Sequence, residues 1–283
     1  MIKAEIIKDS VSTAGARITT FVLTYPRFIH AEFMTHRMLS RNASSSRAIP
    51  VSKFMEAIRS NPAMPISFSK NCKGMQAQEE IESQDEAVKV WLEARDAMME
   101  FVQKLSDLGV HKQHANRLLE PFQHITVVAT ATDWANFFAL RCHPDAQPEF
   151  QELAKCMWNE YSQSNPQILQ TGEWHLPFVT EEDEKRIAPH LWTLENQIKT
   201  SVAKCARVSY NTHDGTNLTL EKDVELYERL VGGAPIHASP TEHQAQALND
   251  PKRRSGNLKG WLQYRKTLCN ENILEFSGIQ KSE

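Results

Sequence analysis

Arg17-Ile18-Thr19-Thr20-Phe21-Val22-Leu23-Thr24-Tyr25, closed by Pro26, is the stretch from which the fold is read. It is dense in β-branched and aromatic residues. Phe21, Leu23 and Tyr25 alternate onto one face, so a strand is expected. Working outward, residues 29–40 (IHAEFMTHRMLS) read as a helix on which Phe33, Arg37 and Ser40 share one side. Residues 41–50 (RNASSSRAIP) read as a polar turn, and 51–77 as irregular. An acidic start at Glu79-Glu80-Ile81-Glu82 leads into a long amphipathic helix reaching Leu108. In it Trp91, Ala94, Met98, Phe101, Leu105 and Leu108 step by 3 and 4, and Gly109 stops it. Helices are also expected over about 111–120, 146–162 and 220–231, while 124–131 (HITVVATA) fits a strand or the start of a buried helix. Ser239-Pro240-Thr241-Glu242 has the capping-box pattern of a further helix, and GWLQYRKTL in the basic tail reads as helical. Residues 163–200 say little.

The 283 residues are 41% hydrophobic and 24% charged, which excludes collagen-like, mucin-like and largely disordered chains. With 32 basic and 35 acidic side chains the net charge is −3, so a globally basic nucleic-acid binder is not expected. No run of eighteen apolar residues suggests a membrane span. The opening MIKAEIIKDS lacks an apolar signal core. Five cysteines without a CxxC favour neither a disulfide framework nor a zinc site, and a cytoplasmic location is expected.

The densest candidate site is Thr35-His36-Arg37-Met38-Leu39-Ser40-Arg41-Asn42-Ala43-Ser44-Ser45-Ser46-Arg47. Arginine forks, hydroxyls and backbone N–H groups are what a phosphate needs, although Ser/Arg/Asn clusters are more often solvated turns. A second is Asn136-Phe137-Phe138-Ala139-Leu140-Arg141 with Ala146-Gln147-Pro148-Glu149; an arginine in an apolar setting suits either a planar polar ring edge or a nearby carboxylate. The third, His237-Ala238-Ser239-Pro240-Thr241-Glu242-His243, has the wrong spacing for an HExxH metal site. No dinucleotide GxGxxG, Walker A loop or GxSxG elbow occurs. Cys142-His143 are neighbours that point different ways, so Cys142 reads as an inert thiol.

Together these segments resemble the flavin-dependent thymidylate synthases. The signature RHRxxSxNExSxRY is approximated by Thr35, His36, Arg37, Ser40, Asn42, Ala43, Ser45, Arg47 and Ala48. The strand up to Pro26, with Phe28, is similar to the entry to that motif. Asn116-Arg117-Leu118-Leu119-Glu120-Pro121 is similar to the ARxxxP element. Asn136, Phe137, Leu140, Arg141, Ala146, Gln147 and Glu149 match NFxxLRxxxxAQxE. Elements that open the family's sequence stand here near the C-terminal end: Cys205-Ala206-Arg207-Val208-Ser209-Tyr210, the helix 220–231, and the run from His237 to His243. The order therefore resembles a circularly permuted, viral-type variant, and residues just after His243 should lie near Ala16–Thr19.

The resemblance implies an α+β fold with an antiparallel sheet core flanked by long helices. It implies one domain over 1–283, with motif segments 16–50, 110–162 and 203–247 and a C-terminal extension 248–283. It implies that FAD, reduced by NADPH, and methylenetetrahydrofolate convert dUMP to dTMP, within a homotetramer and without a membrane or stable nucleic-acid partner. By motif position Ser45, Arg47 and Arg117 bind the nucleotide, as does Glu32. Arg141 faces the pyrimidine and is catalytic with His237. His36, Arg37, Asn42, Asn136, Ser209, Ser239 and Glu242 contact FAD; no metal is implied. Thr35, Ala43 and Ala48 depart from the pattern, as do Glu32 where glutamine is usual and Thr130 and Thr132 where flavin-contacting residues are common. Arg41 or Arg265 could replace the missing cation. These departures motivate a second reading, a related pyrimidine C5 hydroxymethylase or dCMP-acting enzyme. A third is a non-catalytic nucleotide- or RNA-binding protein on the same scaffold, and a fourth a cysteine-dependent synthase using Cys142.

Overall fold

The structure, a computed structural model, describes residues 1–74, 77, 79–208, 219–233 and 235–274. Its main sheet uses β1 (Lys3–Ser12), β2 (Arg17–Pro26), β3 (Ser40–Ala43), β4 (His124–Ala131) and β5 (Gln167–Leu169), in the order β3-β4-β2-β1-β5. Every pairing is antiparallel except β1 with β5. Mixed helices and sheets make this an α+β protein.

The period of two in β2 sorts its neighbours. Phe21, Leu23 and Tyr25 are fully buried and pack with Phe33, Val127 and Ala129. The same cluster takes Phe137 from α5 (Ala135–Arg141) and Phe150, Leu153, Ala154 and Met157 from α6 (Pro148–Gln163). Ile18, of opposite parity, instead packs with Ala245 and Ala247 of β7 (Ala245–Ala247) and with Trp261, and Ala16 packs against that cluster. Residues just after His243 therefore lie against the start of β2. Strand β7 sits between β6 (Trp174–His175) and β10 (Trp261–Gln263), and β8 (Arg254–Ser255) pairs with β9 (Leu258–Lys259).

Several sequence expectations are corrected. The helix expected over 29–40 is only α1 (His30–Met34), preceded by a 3-10 turn. Arg41 ends it from outside, since its Nη1 donates to the carbonyls of Met34 (2.9 Å) and His36 (3.1 Å). Part of the supposed turn is β3, whose Ser40 and Asn42 register with Thr130 and Val128 of β4. The stretch read as irregular contains α2 (Val51–Ser60), where Phe54 and Ile58 are buried one turn apart. Helix α3 begins at Gln84, not in the acidic run before it, and spans Gln84–Asp107. Its buried side is Met99 and Val102, while Ala94 and Phe101 face outward. Residues 112–122 split into α4 (Lys112–Ala115) and a 3-10 stretch containing Pro121, and 124–131 is strand. Residues 163–200 hold α7 (Glu181–Arg186) and most of α8 (Leu194–Arg207). Helix α8 packs on α9 (Leu220–Val231) through Val202, Ala206, Leu226 and Leu230.

The capping box expected at Ser239 is not formed. Residues 239–242 make a 3-10 turn capped by Ala238, and Glu242 is paired elsewhere. A capping box occurs instead at Thr180 and Asp183. The tail GWLQYRKTL is β10 followed by a 3-10 turn, because Trp261 is drawn into the core beneath β2.

Between the two packed layers runs a buried polar chain. His175 Nδ1 lies 2.9 Å from Ser10 Oγ and its Nε2 lies 2.9 Å from Thr20 Oγ1. Thr20 Oγ1 is 2.7 Å from Thr130 Oγ1, which is 2.8 Å from His243 Nδ1. Both imidazoles are fully buried. Burial pushes His243 down to about 3, and burial, then Lys8 and His243, hold His175 well below the ordinary histidine range. A folded-state pKa below the unfolded value of about 6.5 means that stability is complete above that pH and is lost as pH falls toward the folded value. Each such histidine should cost about 1.4 kcal/mol per pH unit in that window. Urea denaturation midpoints should therefore drop steadily between pH 7 and pH 4; a flat profile would contradict the neutral assignment.

Candidate active site

Strand β3 is the wall between two clefts. Residues 35–39 line one, and residues 42–45, 47 and 48 line the other. Register with β4 points Ser40 and Asn42 to one side of the sheet, toward the C-terminal segments, where both are buried. Asn42 Nδ2 donates to the carbonyl of Cys205 (3.4 Å), so the signature segment touches the end of α8.

The first cleft, of about 570 Å³, gathers Asn42, Ser45, Arg47, Arg117, His237 and Ser239. Segments separated by more than 180 residues thus converge. Arg47 is exposed and has no ion-pair partner among the described residues. Arg117 Nη1 donates to Glu120 Oε1 at 2.9 Å, and Arg27, which also lines the cleft, lies 3.2 Å from the same oxygen. Ser46 Oγ donates to it as well, at 2.6 Å. Glu120 therefore holds two arginines at the mouth, leaving Arg47 as the cation it does not neutralise. His30, also in the lining, sits 2.9 Å from Tyr25 Oη through Nδ1. Burial, with Arg27 and Arg41 nearby, lowers its pKa to about 4, so it is neutral at pH 7.

The second cleft, of about 700 Å³, holds His36, Arg37, Asn136 and Arg141, with Trp134 and Arg254. Arg141 Nε donates to His36 Nε2 at 2.9 Å, and its guanidinium lies 4.4 Å from the ring centre of Phe150. His36 also meets Phe137 edge-on at 4.9 Å. Burial, then Arg141 and Arg41, lowers His36 to about 4. The ring is thus a neutral acceptor at Nε2, which fixes its proton on Nδ1.

Sequence-named residues fall as follows. Ser45, Arg47, Arg117, Asn42, Ser239 and His237 share the first cleft; His36, Arg37, Asn136 and Arg141 share the second. Arg141 is therefore not in the same cleft of the chain as Arg47 and His237. Glu242 lines neither: Arg265 Nη1 donates to its Oε1 at 2.6 Å. Glu32, in α1, also lines neither, and its Oε2 is buried without a hydrogen-bond partner among the described residues. Ser209 lies outside the described residues. Thr130 belongs to the buried polar chain, and Thr132 Oγ1 accepts from the Lys259 amide at 2.9 Å. The thiol of Cys142 is raised by burial, and the neighbouring His143 Nδ1 lies 3.5 Å from Asp145 instead. Arg27, His30, His111 and Arg254 were not picked out as site residues from sequence; only the position of Arg27 directly after the strand and of Arg254 in a basic run hinted at them. No group of three His, Cys, Asp or Glu side chains among the described residues could hold a metal ion. No described helix is long and apolar enough to cross a membrane.

The family model of the thymidylate synthase complementing protein matches residues 10–167. That is more than half of the sequence. The chain belongs to the thymidylate synthase complementing protein family. Among solved structures it is similar to the UMP/dUMP methylase PolB from Streptomyces cacaoi bound with 5-Br dUMP, at 18% identity and a TM-score of 0.49, covering 58% of this chain and 90% of that one. The same methylase bound with 5-Br UMP matches at 19% identity and 0.49, covering 58% and 89%. No curated protein matches. The thymidylate synthase complementing protein match takes in both arginines of the first cleft that sequence singled out, and Arg141 of the second. His237, Ser239 and Glu242 lie beyond it, and join the family region only through the fold.

Proposed function

We propose that the chain is a flavin-dependent thymidylate synthase that transfers a one-carbon unit from methylenetetrahydrofolate to C5 of a pyrimidine nucleotide, dUMP in the first instance. The observation that carries this reading is the convergence of Ser45, Arg47, Arg117 and His237 on one cleft from remote parts of a family member. Arg47 supplies an unneutralised guanidinium fork for phosphate, with Ser45 beside it. The second cleft offers groups that suit FAD: Arg37 for its phosphates, with Arg254 beside it although paired to Asp133 at 3.0 Å, Asn136 for hydroxyls, and Trp134, whose buried Nε1–H has no partner among the described residues. His36, Arg37 and Asn136 would hold FAD there, and Asn42 and Ser239 would reach it from the first cleft. When bound, the flavin would carry hydride chemistry between NADPH and the one-carbon unit. The terminal amino groups of Arg141 make no hydrogen bond among the described residues, with the Glu32 carboxylate near enough to act on the guanidinium, and would stabilise negative charge on the ring during attack from C5.

The two clefts of one chain become a single site if subunits of a homotetramer bring the first cleft of one chain to the second of another. Circular permutation of the motif order is supported by Ala245 and Ala247 packing against Ile18. A cytoplasmic enzyme is consistent with this chemistry.

Incubating the purified protein with FAD, NADPH, methylenetetrahydrofolate and dUMP should yield dTMP by mass spectrometry. Protein that neither binds FAD nor turns over any pyrimidine nucleotide would refute the proposal. A dCMP-acting enzyme is the second reading, favoured by Ala43 and Ala48 in the lining of the first cleft and Thr35 in that of the second, where the family pattern has larger or charged residues. Turnover of dCMP alone would select it. In the same assay Arg47→Ala should weaken nucleotide binding by about 2 kcal/mol, roughly 30-fold in Kd, with flavin content unchanged. Calorimetric titration checks this.

A further inference from the structure

The hairpin β8–β9 and strand β10 lie outside residues 10–167, yet they hold the wall between the clefts. At the hairpin tip Gly256 has φ 59° and occupies the first central position of a two-residue loop. The next residue, Asn257, points its amide at the signature segment. Asn257 Nδ2 donates to the Met38 carbonyl (2.9 Å) and to Ser40 Oγ (3.0 Å). From β10, Gln263 Nε2 donates to Asn257 Oδ1 (2.8 Å), to the Glu242 carbonyl (3.2 Å) and to Ser40 Oγ (3.3 Å). Gln263 is 2% exposed and Ser40 1% exposed. A Cβ at Gly256 would collide with Gln263 Oε1, so the glycine is needed for the amide to sit there.

We propose that this hairpin and β10 are a positioning element of the site, in which Asn257 and Gln263 hold Ser40 and thereby set the relation of the two clefts. Ser40 is the hinge of that relation, because residues on its N-terminal side line one cleft and residues on its C-terminal side line the other. A buried polar network with its donors and acceptors paired is rigid and selects one arrangement. The same network seizes the 242 carbonyl, so the segment after His237 is fixed to the signature segment through it. Neither Asn257 nor Gln263 lines a cleft, so both act through Ser40 and Glu242 rather than on a ligand. The inference rests on the clefts being the nucleotide site.

The test uses the full chain with Asn257→Asp, which keeps volume and the acceptor facing Gln263 but loses the donor to Met38. Gly256→Ala, which displaces the Gln263 amide from outside, is the second variant. Hydrogen exchange of amides 38–43 and titration with dUMP are measured on both and on the parent protein. Exchange at 38–43 should quicken roughly tenfold or more while strands β1 and β2 stay protected, and the Kd for dUMP should rise at least about tenfold. Unchanged exchange overturns the proposal. Faster exchange with unchanged dUMP affinity also overturns it, since the contacts would then be structural only. If the parent protein binds neither dUMP nor dCMP, the proposed function fails and takes this inference with it. That result is distinguishable because it appears before any substitution.

Discussion

Arg141→Ala should lower kcat/KM roughly 10²–10³-fold, the loss associated with removing one donor aimed at developing charge. The side chain is placed from both flanks. Its Nε is committed to His36 Nε2, and its plane lies over Phe150, so the fork is held in one orientation. Losing the stacking contact should cost only about 0.5–1 kcal/mol of stability at this half-buried position. Turnover should therefore collapse in a protein that still folds and still binds flavin. Arg141→Lys should recover only a small part, because an ammonium keeps the charge and not the planar fork. His36 provides an independent readout. Its pKa of about 4 owes most to burial and the next part to Arg141, so the alanine variant should raise it without restoring the ordinary value. Steady-state kinetics with flavin absorbance, and an NMR titration of the imidazole, check the two halves. Parent-level turnover in the alanine variant would remove Arg141 from the reaction.

Asp183→Ala should cost about 3–5 kcal/mol of folding stability, because it strands a largely buried lysine. Asp183 is 1% exposed. Lys204 Nζ donates to both of its oxygens, at 2.6 and 2.8 Å, and Thr180 donates to it from both backbone and hydroxyl at 3.0 Å. Burial alone would raise its pKa. The Lys204 bond and charge, with the Thr180 donors, outweigh burial and hold it below the usual carboxylate value. The alanine variant loses the cap of α7 and leaves the Lys204 ammonium, only 14% exposed, without its carboxylate. Asp183→Asn keeps an acceptor for the cap and loses the charge, so it should fall between. Urea unfolding of the three proteins at pH 7 ranks them. An alanine variant within about 1 kcal/mol of the parent would show that Lys204 reaches water instead.

The strand at residues 17–26 was legible because its period of two is unbroken and its residues are β-branched or aromatic. Helices α6 and α9 were legible for the matching reason at the helical period. The segment 29–43 was not. Its apolar spacing suits a helix, but Arg41, far enough along to reach back, occupies the carbonyls that would continue it, and β4 offers Ser40–Ala43 strand partners 84 to 90 residues away in sequence. The tail misled for the same reason, since burial of Trp261 beneath β2 outweighed a weak helical pattern. In the site, motif spacing singled out most of the residues in both clefts. It could not divide them between clefts, and it could not show that Glu120 and Arg265 already occupy Arg117 and Glu242.

The order of residues by itself determined the family, the main strand and the strongest helices, because those depend on local periodicity and on side-chain types at close spacing. Tertiary structure alone decided that the two arms of the signature open into different clefts, that the late segment from His237 closes one of them, and that the final hairpin grips Ser40. Those outcomes turn on contacts between residues some 120 to 220 positions apart. Only packing of the buried sheet against its neighbours brings such residues together, and no local pattern encodes that.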